Sequence, residues 1–238
     1  MHNVRDFKMI LDSKDSGVSK DIARSKIYET WETNVVCNYV QKDSVVLDIG
    51  AHIGYYTLML SKLVGAGGKV ISFEPSPRNF DFLTQNLELN NVSNVVSENM
   101  AVSDSNKAGS LYLSPHNTGD NWIHTTEGNE REEVATTIVT VDEYLKDSEY
   151  KDKIRFVKID TQGNDFLVLK GMQEVLNNND LALLIEFWPN GMARCGYTAH
   201  DLLSFLNANG FTPYLKNEEF DIRVLHKISY VNLFCKRN

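Results

Sequence analysis

The residues of this chain best able to do chemistry gather around one turn. The run VVLDIG (45–50) leads into AHIGYYT, which sets Asp48-x-Gly50-x-x-x-Gly54 at a strand-to-helix junction. Glycine tolerates the positive φ that such a turn needs, and the first amides of the following helix can face a ligand. A second apolar run ends in Glu74-Pro75, so a carboxylate stands beside the turn, where it can accept the hydroxyls of a ribose. Together the two features read as a nucleoside site. A dinucleotide fingerprint, G-x-G-x-x-G, fails because His52 holds the place of its second glycine. A phosphate loop fails as well, since Gly68-Lys69 is followed by Val70 and position 63 is Leu where the first glycine should stand.

The elements that must hold these residues are legible from apolar periodicity. The runs VVLDIG (45–50), KVISFE (69–74), NVVSENMAV (94–102), IRFVKID (154–160) and LALLIEFW (181–188) are near-continuously apolar, as expected of strands buried on both faces of a parallel sheet. Between or after them, YYTLMLSKLV, PRNFDFLTQNLEL, NDFLVLKGMQEVL and AHDLLSFLNANG have helical spacing. Alternating strands and helices predict an α/β fold with a doubly wound, mostly parallel sheet and helices on both faces. Ile27, Trp31, Val35 and Tyr39 predict a helix across the sheet within 22–40, and the residues before it read as a tail. The expected division is therefore a tail and packing helix over 1–40 and one compact domain over 41–238. The stretch 104–135, rich in Ser, Asn, Thr, Gly and Glu around Trp122, reads as a long functional loop and is expected to act as a lid over an acceptor.

Bulk composition narrows the function classes. With 24 Lys and Arg against 32 Asp and Glu, the net charge is −8, which disfavours a nucleic-acid partner. No stretch approaches a membrane span and the first residues carry no apolar signal core. Three cysteines without a CxxC pair suit a reducing compartment, so the expected location is the cytoplasm. Neither HExxH nor paired Cys/His spacing occurs, and no obligatory metal is expected.

VVLDIGAHIGYYT, followed in order by SFEP, NMAVSD, KIDTQGND and LIEFWP, resembles the FkbM family of methyltransferases over roughly 26–215. The resemblance implies a seven-stranded, Rossmann-like methyltransferase fold, S-adenosylmethionine as cofactor, and methylation of a hydroxyl on a small molecule or sugar-like acceptor. It implies a cofactor set of Glu29, Asp48, Gly50, Ala51, His52, Gly54, Thr57, Glu74, Pro75, Met100 and Ala101, with Glu74 on the ribose and Met100 and Ala101 along the adenine. It also puts the first and fourth of the runs side by side, so that Asp160 faces the reacting methyl group as the first candidate for general base. His52, His116 and His124 are alternative bases, imidazole being the side chain that titrates near neutrality. His116, Asn117 and Gly119 resemble a polar element the family places near the acceptor, and Glu186 is the further candidate for acceptor hydroxyls. The family often has I-D-x-E-G-x-E where this chain has Ile159, Asp160, Gln162, Gly163 and Asp165, so no base is carried over to position 162. A nucleoside-binding module without turnover is the alternative reading, and release of the demethylated cofactor separates the two.

Overall fold

A computed structural model of the chain describes residues 1–124 and 131–237. In chain order the strands are β1 (His2–Val4), β2 (Phe7–Met9), β3 (Val45–Ile49), β4 (Lys69–Phe73), β5 (Val95–Glu98), β6 (Ala101–Val102), β7 (Lys107–Leu113), β8 (Glu132–Val139), β9 (Ile154–Ile159), β10 (Ala182–Phe187), β11 (Phe211–Leu215), β12 (Glu218–Glu219) and β13 (Val231–Arg237). The α-helices are α1 (Val18–Ser25), α2 (Thr30–Tyr39), α3 (Tyr55–Val64), α4 (Pro77–Leu89), α5 (Val141–Tyr144), α6 (Asp165–Lys170), α7 (Pro189–Arg194) and α8 (Ala199–Ala208).

The main sheet runs β12-β11-β13-β10-β9-β3-β4-β5, which is seven full strands with the two-residue β12 added at one edge. From β10 to β5 all pairings are parallel, and β13 is antiparallel to both neighbours. Every residue of β3 and β10 is buried, because helices cover both faces. One core layer gathers Leu47, Ile49, Ile159, Leu183 and Val168, the other Val46, Leu58, Phe156, Leu184 and Ile22. The fold is the expected doubly wound, Rossmann-like α/β sheet, with the first and fourth predicted strands adjacent as β3 and β9. Among the described residues no helix is long and apolar enough to cross a membrane.

Four local expectations are corrected. The supposed tail is folded: β1 and β2 form a hairpin whose Val4 and Met9 are fully buried. It is tied to α4 where Asn86 donates to the Ile10 carbonyl and accepts from the Ile10 amide, and where Arg78 forks onto Asp12. The single helix expected within 22–40 is two, α1 and α2, because Lys26 and Glu29 both adopt left-handed backbone, at φ 62° and 45°. The run 94–102 is broken between β5 and β6, and β6 leaves the main sheet to pair with β8. Finally, 104–135 is no free loop: β7 and β8 pair in register from Lys107↔Ile138 to Leu113↔Glu132, and Trp122 bridges to Tyr112. Leu111 and Ile138 are buried in that hairpin, so removing the stretch would open the core. Positions 125–130 of the expected lid lie outside the described residues.

Candidate functional site

The cleft opens where β3, β4 and β9 end, which is where an open parallel sheet binds ligands. Its floor is made by the glycine turn. Gly50 and Ala51 both donate to the carbonyl of Phe73, at 2.9 and 3.0 Å, and Asp160 donates its amide to Ile49 at 3.0 Å. Gly50 sits at φ +84°, and a Cβ there would lie 1.9 Å from the Asp160 carbonyl oxygen. The sheet ends can close together at this point only because the residue is glycine. Gly54, at φ +90°, does not reach the cleft. A Cβ on it would come within 2.7 Å of Leu83, so its smallness lets α4 pack against the start of α3.

Glu74 is buried at the end of β4. Its Oε2 accepts the His52 amide at 2.8 Å, and its Oε1 accepts the Ser76 amide at 2.9 Å and the Asn79 side-chain amide at 3.3 Å. With two acceptor positions per oxygen, one position on Oε2 stays open, so the carboxylate can take one hydroxyl where the sequence reading gave it two. Burial raises Glu74 to about 7 against its hydrogen bonds. His52, at φ 51°, turns its Nε2 to the Thr118 hydroxyl at 2.8 Å. Burial holds this imidazole neutral, down to about 4.

Lys158 organises the other wall. It stands opposite Asp48 in the β3–β9 register, is buried, and places Nζ 3.0 Å from Asp160 Oδ2 and 4.7 Å from the centre of the Tyr56 ring. Asp48 is fully buried one layer behind the cleft, where Thr57 donates to its Oδ2 at 2.6 Å. Burial raises Asp48 while the Lys158 charge lowers it. Glu29, half-buried, accepts from the hydroxyls of Tyr56 at 2.9 Å and Tyr230 at 3.2 Å. Burial and the Asp160 charge raise it to about 7. Asp160 accepts Gln162 Nε2 on Oδ1 at 2.9 Å, and the same amide donates to Glu186 Oε1 at 2.9 Å. Glu186 is buried and also takes the Gly163 amide at 3.2 Å. It braces the 160–165 turn.

The structure therefore sorts the predicted residues. Gly50, Ala51, His52, Glu74, Pro75, Met100, Ala101, Gly119 and Asp160 line one cleft. Asp48, Gly54 and Thr57 build its wall from behind, and Glu29 reaches it through Tyr56 and Tyr230. Glu186 does not reach it, which corrects the acceptor role expected for that residue. Gly119 lies with Thr118 and Asn121 over His52 and Asn79, on the Glu74 side of the cleft. His116 is exposed and touches Ser16 only through its carbonyl, so neither a base nor an acceptor contact is built there. Asn117 lines a neighbouring cleft. His124 is held by Asn164 at 3.3 Å. Sequence reasoning passed over Asn79, Tyr56 and Tyr230. Lys158 carried the clearest signal, a lysine inside a buried strand and two residues before an aspartate.

The cleft suits an adenosine-bearing ligand. Phe73, Met100, Ala101, Val102, Leu111 and Ile123 give it an apolar slot beside the polar Glu74 end. His52 Nδ1, Asn79 Oδ1 and Thr161 Oγ1 are buried polar atoms with no partner among the described residues, and all three residues line it. Unpaired buried polar atoms are costly and call for a polar ligand or water. Asp160 balances Lys158, and every ionised fraction of Glu29, Asp48 and Glu74 leaves the cleft negative, so the field favours a cationic ligand such as a sulfonium. Among the described residues no cluster of three or more His, Cys, Asp or Glu side chains is arranged to hold a metal ion.

The comparisons with known proteins agree with this geometry. The chain is 30% identical over 148 residues to hexuronic acid methyltransferase AglP of Haloferax volcanii, covering 60% of this chain and 56% of that protein. It is 22% identical over 149 residues to Methyltransferase 1 of Beauveria bassiana, covering 56% and 59%. The match thus spans under two thirds of the length of either relative. Methyltransferase FkbM from Methylobacillus flagellatus shares the fold, with a TM-score of 0.51 and 16% identity over 82% of this chain and 44% of that one. The Methyltransferase FkbM domain matches residues 48–213, a span that holds the glycine turn, Glu74, Lys158 and Asp160, and the chain belongs to this family of S-adenosylmethionine-dependent methyltransferases.

Proposed function

We infer that the chain transfers a methyl group from S-adenosylmethionine to a hydroxyl of a small-molecule or sugar-like acceptor. The observation that carries this reading is the position of Asp160, which lines the cleft beside the glycine turn with its carboxylate oriented by Lys158 and Gln162. Each Asp160 oxygen accepts one protein donor and keeps one position for an acceptor hydroxyl. Bound in the cleft, the cofactor supplies an electrophilic methyl on a sulfonium. The residues hold and align: Glu74 and the His52 and Asn79 side chains take the ribose end, Met100 and Ala101 flank the base, and Glu29 with Tyr56 faces the positive end. Asp160 receives the acceptor proton as the new bond to oxygen forms, a contribution of about 10²- to 10⁴-fold.

The relative named as a hexuronic acid methyltransferase supports a sugar acceptor, and the net charge of −8 supports a small acceptor over a nucleic acid. Residues 41–238 are read as the catalytic domain, with 1–40 as its N-terminal cover. The free thiols of Cys37, Cys195 and Cys235 support a cytoplasmic setting. The test is release of S-adenosylhomocysteine with a panel of hydroxylated sugars and their deoxy counterparts. Release that tracks one hydroxyl supports the reading; cofactor binding with no turnover on any acceptor returns the chain to a binding module.

A further inference from the structure

A second cleft adjoins the first, and Gln162 and Tyr230 line both. Since Gln162 donates to Asp160, the two clefts meet at the residue assigned to the acceptor hydroxyl. Trp122, Arg131, Trp188 and Arg194 line the second cleft. The two arginines differ in their commitments. Arg131 is bound to Asp120 at 2.6 Å and lies 3.4 Å from the centre of the Trp122 ring. Arg194 is exposed at the end of α7 and forms no ion pair among the described residues. Its guanidinium carbon lies 4.2 Å from the ring centre of Trp122 and 4.9 Å from that of Trp188. Trp188 is itself fixed: a Cβ on Gly191 would lie 2.2 Å from its Cε3, so the indole rests directly on the backbone of α7.

Indoles on the face of a guanidinium hold it by cation–π attraction and leave its N–H edge available. That edge matches a carboxylate with two parallel hydrogen bonds. The indole contacts thus serve to fix the guanidinium: Trp122 lies between Arg131 and Arg194, and Trp188 between Arg194 and the backbone of α7. In a chain of net charge −8, with the neighbouring cleft walled by carboxylates, an anionic acceptor needs a dedicated cation, and among the described residues Arg194 lines this cleft without an ion pair, whereas Arg131 is paired with Asp120.

We propose that the second cleft is the acceptor subsite and takes a carboxylated pyranose, a uronic acid, with Arg194, held by Trp122 and Trp188, forked onto its carboxylate. This assignment rests on the reading of the first cleft as the cofactor site. The test uses the whole chain loaded with S-adenosylhomocysteine, titrated with methyl β-D-glucuronide, methyl β-D-glucoside and benzoate. The wild type binds the glucuronide at least tenfold more tightly than either of the others. In R194Q the glucuronide falls to the level of the glucoside, while affinity for S-adenosylhomocysteine and the melting temperature stay at wild-type values. R194K, with charge but no fork, recovers only part of the preference. Equal binding of glucuronide and glucoside by the wild type, or an undiminished preference in R194Q, overturns the proposal, and benzoate binding as well as the glucuronide removes the sugar from it. Failure of the wild type to bind S-adenosylhomocysteine at all refutes instead the reading of the first cleft.

Discussion

Replacing Glu74 by Gln changes one atom and tests the cofactor site at its most constrained point. In the native chain one oxygen takes the His52 amide at 2.8 Å and the other takes the Ser76 amide at 2.9 Å. A glutamine amide must turn its NH₂ toward one of these two N–H groups, leaving a buried donor unpaired at a cost of about 1–3 kcal/mol in stability. The open acceptor position on Oε2 provides one charge-assisted bond to a ribose hydroxyl, worth about 1.5–3 kcal/mol, so E74Q should bind S-adenosylmethionine about 10- to 150-fold more weakly at pH 8. The pH dependence makes the test specific. Burial raises the unliganded Glu74 to about 7, so below that pH the wild type must first lose a proton to bind, at about 1.4 kcal/mol per pH unit. E74Q pays no such cost, and the gap between the two proteins should narrow by roughly tenfold from pH 8 to pH 6. Groups common to both proteins, Glu29 among them, largely cancel in the comparison. Titration calorimetry at the two pH values, with thermal melts of each variant, measures all three quantities. Equal affinity at pH 8 would remove Glu74 from the site, and a gap that ignores pH would refute the raised carboxyl.

Three further outcomes follow from the same geometry. Burial raises Glu29 and Glu74 from their usual 4.5, and Asp165 from its usual 3.8 to about 6. His52, held down to about 4 by burial, acts in the opposite direction, but the three raised carboxyls outweigh it, so the folded chain binds more protons than the unfolded chain between about pH 4 and 7 and the cofactor-free protein should lose stability as pH rises through that window, Glu74 alone contributing about 3 kcal/mol; a melting temperature that climbs from pH 5 to 7 contradicts this. D160N keeps the shape but turns an amide against either Lys158 or Gln162, and turnover on a hydroxyl acceptor should drop by about 10²-fold or more with a much smaller change in cofactor affinity. Normal turnover would make Asp160 a brace for the turn, whereas loss of cofactor affinity would assign it to the cofactor's positive end. G50A meets the Asp160 carbonyl oxygen at 1.9 Å in a left-handed backbone, so cofactor binding should be lost even where the protein still folds, and wild-type calorimetry with this variant would refute the close approach of β3 and β9.

Much of the fold was legible because its causes are local. Helices α3 and α4 fall on the predicted residues 55–64 and 77–89. Apolar spacing, the Ser76 cap with Pro77 behind it, and the glycine turn all act within a few residues. The strands β3, β4, β9 and β10 were readable as unbroken apolar runs, and the Asp48–Gly54 turn with Glu74 as neighbours at one end of the sheet. Which side chains share a wall was decided by register and by chain segments far apart in sequence. Lys158 faces Asp48 only because β9 and β3 pair in parallel at that offset, and Tyr230 reaches Glu29 across 201 positions. Glu186 read like any other acidic strand end, until the Gln162 and Gly163 amides took its oxygens. The polar 104–135 stretch gave no periodic signal for its hairpin, since β7 and β8 bury little beyond Leu111 and Ile138 and pair across an interval no local pattern spans. Periodicity records which face of an element is buried, while what meets that face depends on topology, and so the glycine turn and its carboxylate could be read from the chain but the side chains that share their cleft only from the fold.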